Sequence, residues 1–400
     1  MITFWKESGK EKGKKRKGRF WRRPRSCLGL LGILVVLYGV ATVILVRRAD
    51  RAFRGPEPGT VETAFSWDRE LGPHGPRPAS DPSVSVPPGE PLGDWLLPQV
   101  LSVEDASESR EGWVILDRRF GKLHLLDPRR GLVKSMGREG KGPGELFAPR
   151  ALAVHDTLIW LVTRNGMMLD RFSLEGGFQE RMRIGAGVCP VGLVKGLVAL
   201  ESGRLVLLRF CPSVTPGPGT LWLEDLHPSG RVTPLLSLAL SEPDDRRLHP
   251  FRMPVLGGRG EEVVLGTFDA PCLLFIRPDD PGAPPRRSCL PDYRRPAVPT
   301  ADRESLGRKF EHITRLGFDA LRVPEQLPWL DGVFGIGRGV VARRMQGTER
   351  RDLVLLPSEG EARVYDLPVT ERTFVGEETI LVADDRLQGT EIRIYANPWR

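Results

Sequence analysis

Residues 113–133 contain three short, largely apolar segments: Trp113-Val114-Ile115-Leu116-Asp117, then Leu123-His124-Leu125-Leu126-Asp127, then Gly131-Leu132-Val133. Two apolar runs that each end in Asp are followed by a third run that begins at Gly, and short polar segments separate them. Short apolar runs broken by turn-forming residues are typical of antiparallel strands joined by tight turns. The stretch therefore predicts three consecutive strands of one antiparallel sheet.

The same unit recurs along the chain, with a second copy over residues 159–178 and a looser third copy over residues 353–365. Helical periodicity is scarce, and the exception is Asp302 to Leu316, which we interpret as an inserted helix or lid. Units of roughly 40–50 residues with four short strands each are typical of β-propeller blades. The chain from residue 93 onward has room for about six or seven of them.

A glycine-rich loop, GREGKGPGEL at residues 137–146, precedes Pro149 and the apolar pair Ala153-Val154. It resembles the segment between blades in bacterial six-bladed β-propellers of the NHL-like and TolB-like group. Residues 327–334 and the closing stretch 389–395 also resemble parts of those proteins. The resemblance implies an all-β, six-bladed propeller over residues 93–400. It implies no particular activity, because propellers include both binding modules and enzymes.

The charge of the chain is concentrated at its N-terminus. Residues 1–25 contain 11 Lys or Arg and only two acidic residues, a local charge of +9 within a total of +8. Residues 26–400 are therefore close to neutral, which argues against nucleic-acid binding by the folded domain. We expect the basic tail to lie in the cytoplasm and to contact anionic lipid.

An uncharged apolar run from Ser26 to Val46 predicts a single transmembrane α-helix. Its 21 residues span about 31 Å as a helix, close to the hydrocarbon thickness of a bilayer. The denser basic flank on its N-terminal side places the N-terminus in the cytoplasm. A cleaved signal peptide is the alternative, but the long basic region favours an uncleaved anchor. We thus predict a single-pass inner-membrane protein with a periplasmic or otherwise extracytoplasmic C-terminal domain.

Residues 47–92 are predicted to form a proline-rich linker between the helix and the β domain. Nine prolines lie between Pro56 and Pro91. Proline removes backbone donors and restricts φ, so a regular sheet or helix is not expected in this segment.

Four cysteines follow the membrane segment, and they allow three pairings: Cys189, Cys211, Cys272 and Cys289. An oxidising compartment favours disulfides, and local pairing of Cys189 with Cys211 and of Cys272 with Cys289 would bridge strands within single blades. Four buried free thiols are the alternative. Because no C-x-x-C occurs, a zinc or thioredoxin-like site has little support.

The sequence carries no catalytic signature, and it predicts no cofactor and no metal site. The six histidines lack metal-ligand spacing, and the paired acids lie in contexts typical of turns. The leading hypothesis is a membrane-anchored, non-catalytic module that binds a protein, peptide or glycan. The first alternative is a metal-assisted hydrolase, lactonase or lyase that uses the central funnel, so enzymatic activity stays undecided. The second is a structural or assembly role in which the tail contacts a cytoplasmic partner. Candidate binding residues in loops are Arg138, Lys141, His155 and Arg164.

Overall fold

The computed structural model describes residues 85–86, 89–187, 189, 192–211, 220–239, 255–266, 271–289, 297, 300, 329–345, 351–358, 362–370 and 372–399. All of them belong to one compact unit, Gly59–Arg400. The predicted tail, transmembrane helix and most of the linker lie outside the described residues, as does the helix predicted at 302–316. No helix within the described part of the chain is long and apolar enough to cross a membrane.

The described residues form six blades of a propeller, each with four antiparallel strands, and a fifth, parallel strand joins one of these sheets. Two strands precede the first blade: β1 is Ser85–Val86 and β2 is Gly93–Leu97. Blade 1 consists of β3 to β6, which are Val103–Ser109, Gly112–Asp117, Lys122–Asp127 and Gly131–Met136. A short parallel pair in the loop that follows is β7, Arg138–Glu139, and β8, Glu145–Leu146. Blade 2 consists of β9 to β12, which are Ala151–His155, Leu158–Thr163, Met168–Ser173 and Phe178–Arg183. A single 3₁₀ turn, Arg164–Gly166, joins its two middle strands.

Blade 3 consists of β13 to β16, which are Leu193–Ala199, Leu205–Cys211, Thr220–Leu226 and Val232–Ala239. Blade 4 consists of β17 to β20, which are Val255–Arg259, Glu262–Gly266, Cys272–Ile276 and Arg286–Cys289. Blade 5 consists of β21 to β24, which are Leu330–Ile336, Gly339–Met345, Arg351–Pro357 and Arg363–Val369. Blade 6 contains β25 to β27, which are Thr373–Val375, Thr379–Arg386 and Gly389–Ala396.

The burial pattern of the strands follows from their position in a blade. The middle strand β4 is buried along its whole length, because neighbouring blades cover both of its sides. The outer strand β6 alternates between buried and exposed residues, as expected for a sheet edge with one solvated side. Six clusters of buried apolar side chains lie between successive blades, from blades 1 and 2 round to blades 6 and 1. Burial of this apolar surface is the main force that holds the blades together.

Blade 6 is completed by the N-terminal strand β2, which pairs with the C-terminal strand β27. The two ends of the propeller are thus joined by backbone hydrogen bonds, and the ring has no open edge between its first and last blades. Between blades 1 and 6, the buried Trp113 indole donates a hydrogen bond to the Thr379 hydroxyl at 2.8 Å.

The all-β, six-bladed architecture predicted from the repeats is confirmed, and the alternative of seven blades is wrong. The linker prediction differs from the structure at one point. Ser85 and Val86, within the segment where no regular sheet was expected, pair in parallel with Val364 and Tyr365 of β24. None of the nine linker prolines is at position 85 or 86, so both residues keep their backbone N–H groups for this pairing.

Both disulfides have the local pairing. Cys189 is bonded to Cys211 and Cys272 to Cys289, with sequence separations of 22 and 17. The alternative of four free thiols is therefore wrong. Under the chain-entropy model, closing each loop stabilises the fold by about 3 kcal/mol.

Candidate functional site

The six innermost strands surround a central channel. They come one from each blade and contact each other in the ring order β3, β9, β13, β17, β21 and β25. The channel holds a cavity of about 550 Å³ that these strands line. Each inner strand begins where the chain arrives from the preceding blade, so the inner strands begin at a common face, the upper face. They end at the opposite, lower face.

Carboxylates of β3 line one side of the channel. Asp105 accepts hydrogen bonds from the backbone N–H groups of Ala106 and Leu152, each at 2.9 Å, and so links blade 1 to blade 2. Desolvation raises the pKa of Asp105 to about 7, although both hydrogen bonds oppose the shift. Glu108 accepts a hydrogen bond from the Thr379 hydroxyl at 2.5 Å, and desolvation likewise raises its pKa.

The glycine-rich loop lies on the upper face, between blades 1 and 2, and Arg181 of β12 holds it. The Arg181 guanidinium forms an ion pair with the fully buried Asp170 at 2.6 Å. It also donates hydrogen bonds to the backbone carbonyl oxygens of Lys141, Gly142 and Glu145 at 3.0, 2.8 and 2.7 Å. One half-buried cation therefore satisfies three loop carbonyls, which explains why the loop keeps one conformation without regular secondary structure.

Glu145 organises the loop from within. Its carboxylate accepts a hydrogen bond from the Gly142 N–H at 2.8 Å and pairs with Arg138 at 2.6 Å. The Gly142 hydrogen bond is the largest of the effects that lower the pKa of Glu145. Gly140 has a φ of +155°, and a Cβ there would lie 2.2 Å from a Glu145 carboxylate oxygen, so glycine is required. The motif is a structural connection between blades.

Backbone strain is concentrated beside this loop. Four non-glycine residues of the described chain have positive φ, and three of them, Ala148, Arg164 and Asn165, lie next to one another. The Arg164 N–H donates to the Phe147 carbonyl at 2.7 Å and the Asn165 N–H to the Ala148 carbonyl at 3.3 Å. Each such residue costs about 1–3 kcal/mol and is held in place by its surroundings. Strain of this kind is concentrated at ligand sites, so the backbone around Ala148, Arg164 and Asn165 is a candidate binding site.

Basic and apolar side chains surround the strained backbone and extend to the channel mouth. We name this group the upper-face cluster; its cations are Arg138, Lys141, Arg150, Arg164 and Lys195, and its apolar members are Phe147, Met167 and Leu193. Among the described residues, Arg138 is the one cation of the five with a carboxylate in salt-bridge contact. Arg150 instead donates to the Asn165 side-chain oxygen at 2.9 Å, and Lys141 lies 4.9 Å from the Phe147 ring centroid.

Lys195 belongs to the channel wall at the upper end of β13. A β-bulge between Val194 and Gly196 interrupts the strand register at this residue, and bulges often redirect a side chain at a functional site. Desolvation is the main cause of the lowered pKa of Lys195, and the positive charge of Arg150 adds to it. The two cations are therefore close enough to repel each other, an arrangement that an anionic ligand would relieve.

The apolar members of the cluster are unusually exposed. Phe147, Met167 and Leu193 are 38%, 58% and 42% accessible to solvent. Single exposed apolar residues are ordinary on protein surfaces. Here, three lie beside four cations that have no carboxylate partner among the described residues, and together they form an amphipathic surface.

Three of the four predicted binding residues, Arg138, Lys141 and Arg164, lie together in the upper-face cluster. Arg164 donates a hydrogen bond from its side chain to the Lys141 carbonyl at 2.7 Å. His155 does not join them. It lies at the lower end of β9, where its Nε2 is 2.9 Å from the Glu201 carbonyl oxygen in the turn of blade 3.

Arg150 and Lys195 were missed by the sequence reasoning. A signal for Arg150 exists, since it follows Pro149 at the end of the loop that was singled out. Residues 191–200 are apolar or glycine except for Lys195. Side chains alternate between the two sides of a strand, and a bulge shifts this alternation by one residue. The sequence therefore does not indicate on which side of the sheet a lone lysine lies.

A second cavity of about 970 Å³ opens on the lower face. Its arginines and acids mostly neutralise one another. Glu262 is within salt-bridge distance of Arg259, Arg277 and Arg286, at 3.8, 3.5 and 3.2 Å. Glu261 accepts hydrogen bonds from the backbone N–H and hydroxyl of Ser202.

The described residues contain no group of three or more His, Cys, Asp or Glu side chains that could hold a metal ion. The channel carboxylates are instead engaged individually. Asp331 pairs with Arg343 at 2.5 Å and Arg351 at 2.6 Å, and Glu104 pairs with Arg118 at 3.1 Å.

Comparison with known proteins supports the fold. No family model matches the chain, and no curated protein sequence matches it. Among solved structures, a member of the DUF4221 family from Bacteroides vulgatus is 10% identical, with a TM-score of 0.52 over 77% of this chain and 95% of that one. At this identity the likeness shows the propeller fold and nothing about activity.

Two further structures have lower TM-scores. An inferred exported protein from Bacteroides fragilis is 13% identical, with a TM-score of 0.47 over 74% of this chain and 90% of that one. The calcium-binding protein regucalcin from Agrobacterium tumefaciens is 14% identical, with a TM-score of 0.43 over 80% of this chain and 99% of that one.

Proposed function

We propose that the protein is a membrane-anchored, extracytoplasmic binding module whose upper face recognises an acidic segment of a partner protein. The observation that carries the proposal is the upper-face cluster, which combines strained backbone, exposed apolar side chains and four cations without a carboxylate partner in the described part of the chain, at one mouth of the channel. Residues 26–46 serve as the anchor and residues 1–25 as the cytoplasmic tail. The two disulfides support an oxidising compartment for the propeller.

The chemistry of the cluster favours an acidic protein segment over a glycan. Arg150, Arg164 and Lys195 offer N–H donors suited to carboxylates, and arginine can bind a carboxylate through two parallel hydrogen bonds. Phe147, Met167 and Leu193 offer contacts to apolar side chains, which a glycan lacks. Loops on a rigid scaffold, such as those that carry these residues, are common places for recognition.

Site-specific photo-crosslinking in native membranes tests the binding face. A photo-reactive amino acid replaces Met167 in the upper-face cluster or, as the matched control, Val133, which is 54% exposed on the outer strand of blade 1. We expect a discrete protein adduct from position 167 and none from position 133.

Charge reversal then tests the chemistry of the adduct. Arg150→Glu combined with Lys195→Glu should reduce the adduct at least tenfold, because both changes replace attraction by repulsion at the mouth. The control is Arg231→Glu, an exposed cation in the turn before β16. The proposal would be overturned if positions 167 and 133 gave the same amount of adduct. It would also be overturned if the amount from position 167 did not fall when Arg150→Glu and Lys195→Glu were combined.

The anchor has a separate test. Membranes washed with alkaline carbonate should retain the full-length chain, and protease added outside the cytoplasmic membrane should degrade the propeller but leave a tag at Met1 intact. Release by carbonate, or protection of the propeller, would refute the membrane topology without affecting the binding face.

A further inference from the structure

The disulfide of blade 4 is asymmetric in its accessibility. Cys272 and Cys289 are directly opposite each other on β19 and on the outermost strand β20. Cys272 is 2% exposed, whereas Cys289, the last residue of the edge strand, is exposed. A thiolate from solvent can therefore approach the sulfur of Cys289 more readily than that of Cys272.

A cation is positioned against the buried sulfur. The Arg287 Nη2 lies 2.9 Å from the Cys272 Sγ. No carboxylate of the described residues forms a salt bridge with Arg287, and its Nε is buried without a hydrogen-bond partner. Glu262, an acid of the same blade, is instead paired with Arg286. The charge of Arg287 is thus available to a thiolate at Cys272.

The disulfide of blade 3 provides an internal contrast. The buried arginine of that blade, Arg209, is ion-paired with the buried Glu224 at 2.7 Å. Its charge is therefore neutralised by a carboxylate. Cys189 is 7% exposed and Cys211 is half-buried, whereas Cys289 of blade 4 is exposed. Among the described residues, blade 4 thus has the more accessible cysteine and the arginine without a carboxylate partner.

We propose that Cys272–Cys289 is a thiol-exchange site for a dithiol oxidoreductase, with Cys289 as the attacked sulfur and Cys272 as the leaving group. The partner's thiolate forms a mixed disulfide with Cys289 Sγ while the Cys272–Cys289 bond breaks, and Cys272 leaves as a thiolate beside Arg287. The partner's second thiol then displaces Cys289. The partner dithiol is oxidised to a disulfide, this disulfide is reduced to two thiols, and the two thiol protons pass from the partner to the cysteines.

Arg287 accelerates the first step because a neighbouring cation stabilises the departing thiolate, and a leaving thiol of lower pKa leaves faster. Cations of this kind lower thiol pKa values by about one unit or more. The logarithm of the exchange rate changes by roughly half of the change in the pKa of the leaving thiol. Loss of the Arg287 charge should therefore slow exchange about 3- to 10-fold.

The test measures reduction of each disulfide in the full-length protein in detergent micelles. The protein is treated with dithiothreitol, and differential alkylation with mass spectrometry follows all four cysteines over time. We expect Cys272 and Cys289 to be reduced before Cys189 and Cys211. Arg287→Gln should slow reduction of the blade 4 disulfide 3- to 10-fold, whereas Arg287→Lys should retain most of the rate. Arg286 precedes Arg287 in β20, so Arg286→Gln is the matched control and should leave the reduction rate of the blade 4 disulfide unchanged.

Single-cysteine variants assign the attacked sulfur. Cys272→Ser leaves the Cys289 thiol, which should react rapidly with a maleimide-polyethylene glycol reagent, while Cys289→Ser leaves the buried Cys272 thiol, which should react slowly. Earlier reduction of the blade 3 disulfide, an unchanged rate in Arg287→Gln, or faster labelling of Cys272 would each overturn the proposal.

Discussion

Arg181→Ala is predicted to be among the most destabilising single changes in blade 2. The Arg181 side chain is 15% exposed and its partner Asp170 is fully buried, so the change leaves a carboxylate in the interior without its cation. Breaking a buried ion pair in this way costs about 3–5 kcal/mol, far more than loss of a surface pair. Three loop carbonyls lose their donor at the same time.

The free energy of unfolding, measured by urea titration followed by tryptophan fluorescence, should therefore fall by about 3–5 kcal/mol. Arg183→Ala is the matched control: the residue is exposed, two positions further along β12. Its cost should stay within about 0.5 kcal/mol. Hydrogen exchange gives a local readout, because the amides of Gly140 and Glu145, which are bonded within the glycine-rich loop, should exchange faster in Arg181→Ala.

A second variant separates the buried charge from the lost hydrogen bonds. Arg181→Leu combined with Asp170→Asn removes both charges, while the Asn oxygen can still accept the hydrogen bond that Thr163 donates to Asp170. The double variant should be more stable than Arg181→Ala. A cost below about 1 kcal/mol for Arg181→Ala, or a double variant less stable than the single one, would show that the Asp170–Arg181 ion pair does not stabilise blade 2 in this way.

Two further predictions concern the channel and the closure of the ring. The raised pKa of Asp105 means that the folded state binds this proton more tightly than the unfolded chain does, so the contribution is fully present below pH 3.8 and is lost as pH rises to about 7. Asp105→Asn should flatten the stability profile between these values, measured by urea titration at several pH values; an unchanged slope would contradict it. A chain that starts at residue 98 lacks β2 and exposes the edge of β27; it should unfold at markedly lower temperature than one that starts at residue 85, and equal melting temperatures would contradict a closing role for β2.

Much of the fold could be predicted from the sequence because its signals are local. The apolar runs at 113–133 and their later copies correspond to strands of blades 1, 2 and 5. The cysteine pairs are close in sequence, and the structure has the local pairing. Short-range periodicity and turn residues identify strands without knowledge of their neighbours. The addition of Ser85–Val86 to blade 5 was not predictable in this way, because the partner strand is more than 270 positions away.

Local sequence patterns were enough to predict a propeller of antiparallel blades, the loop between blades 1 and 2, and three cations on that loop or beside it. The folded chain was needed to show that Arg150 and Lys195 meet at the channel mouth, that His155 lies on the opposite face, and that β2 completes blade 6. The positions of these residues depend on which face of the ring each strand begins at, and the position of Lys195 depends also on a single bulge in β13. Each is set by contacts between blades rather than by the residues of one strand, which is why local pattern could not reveal them.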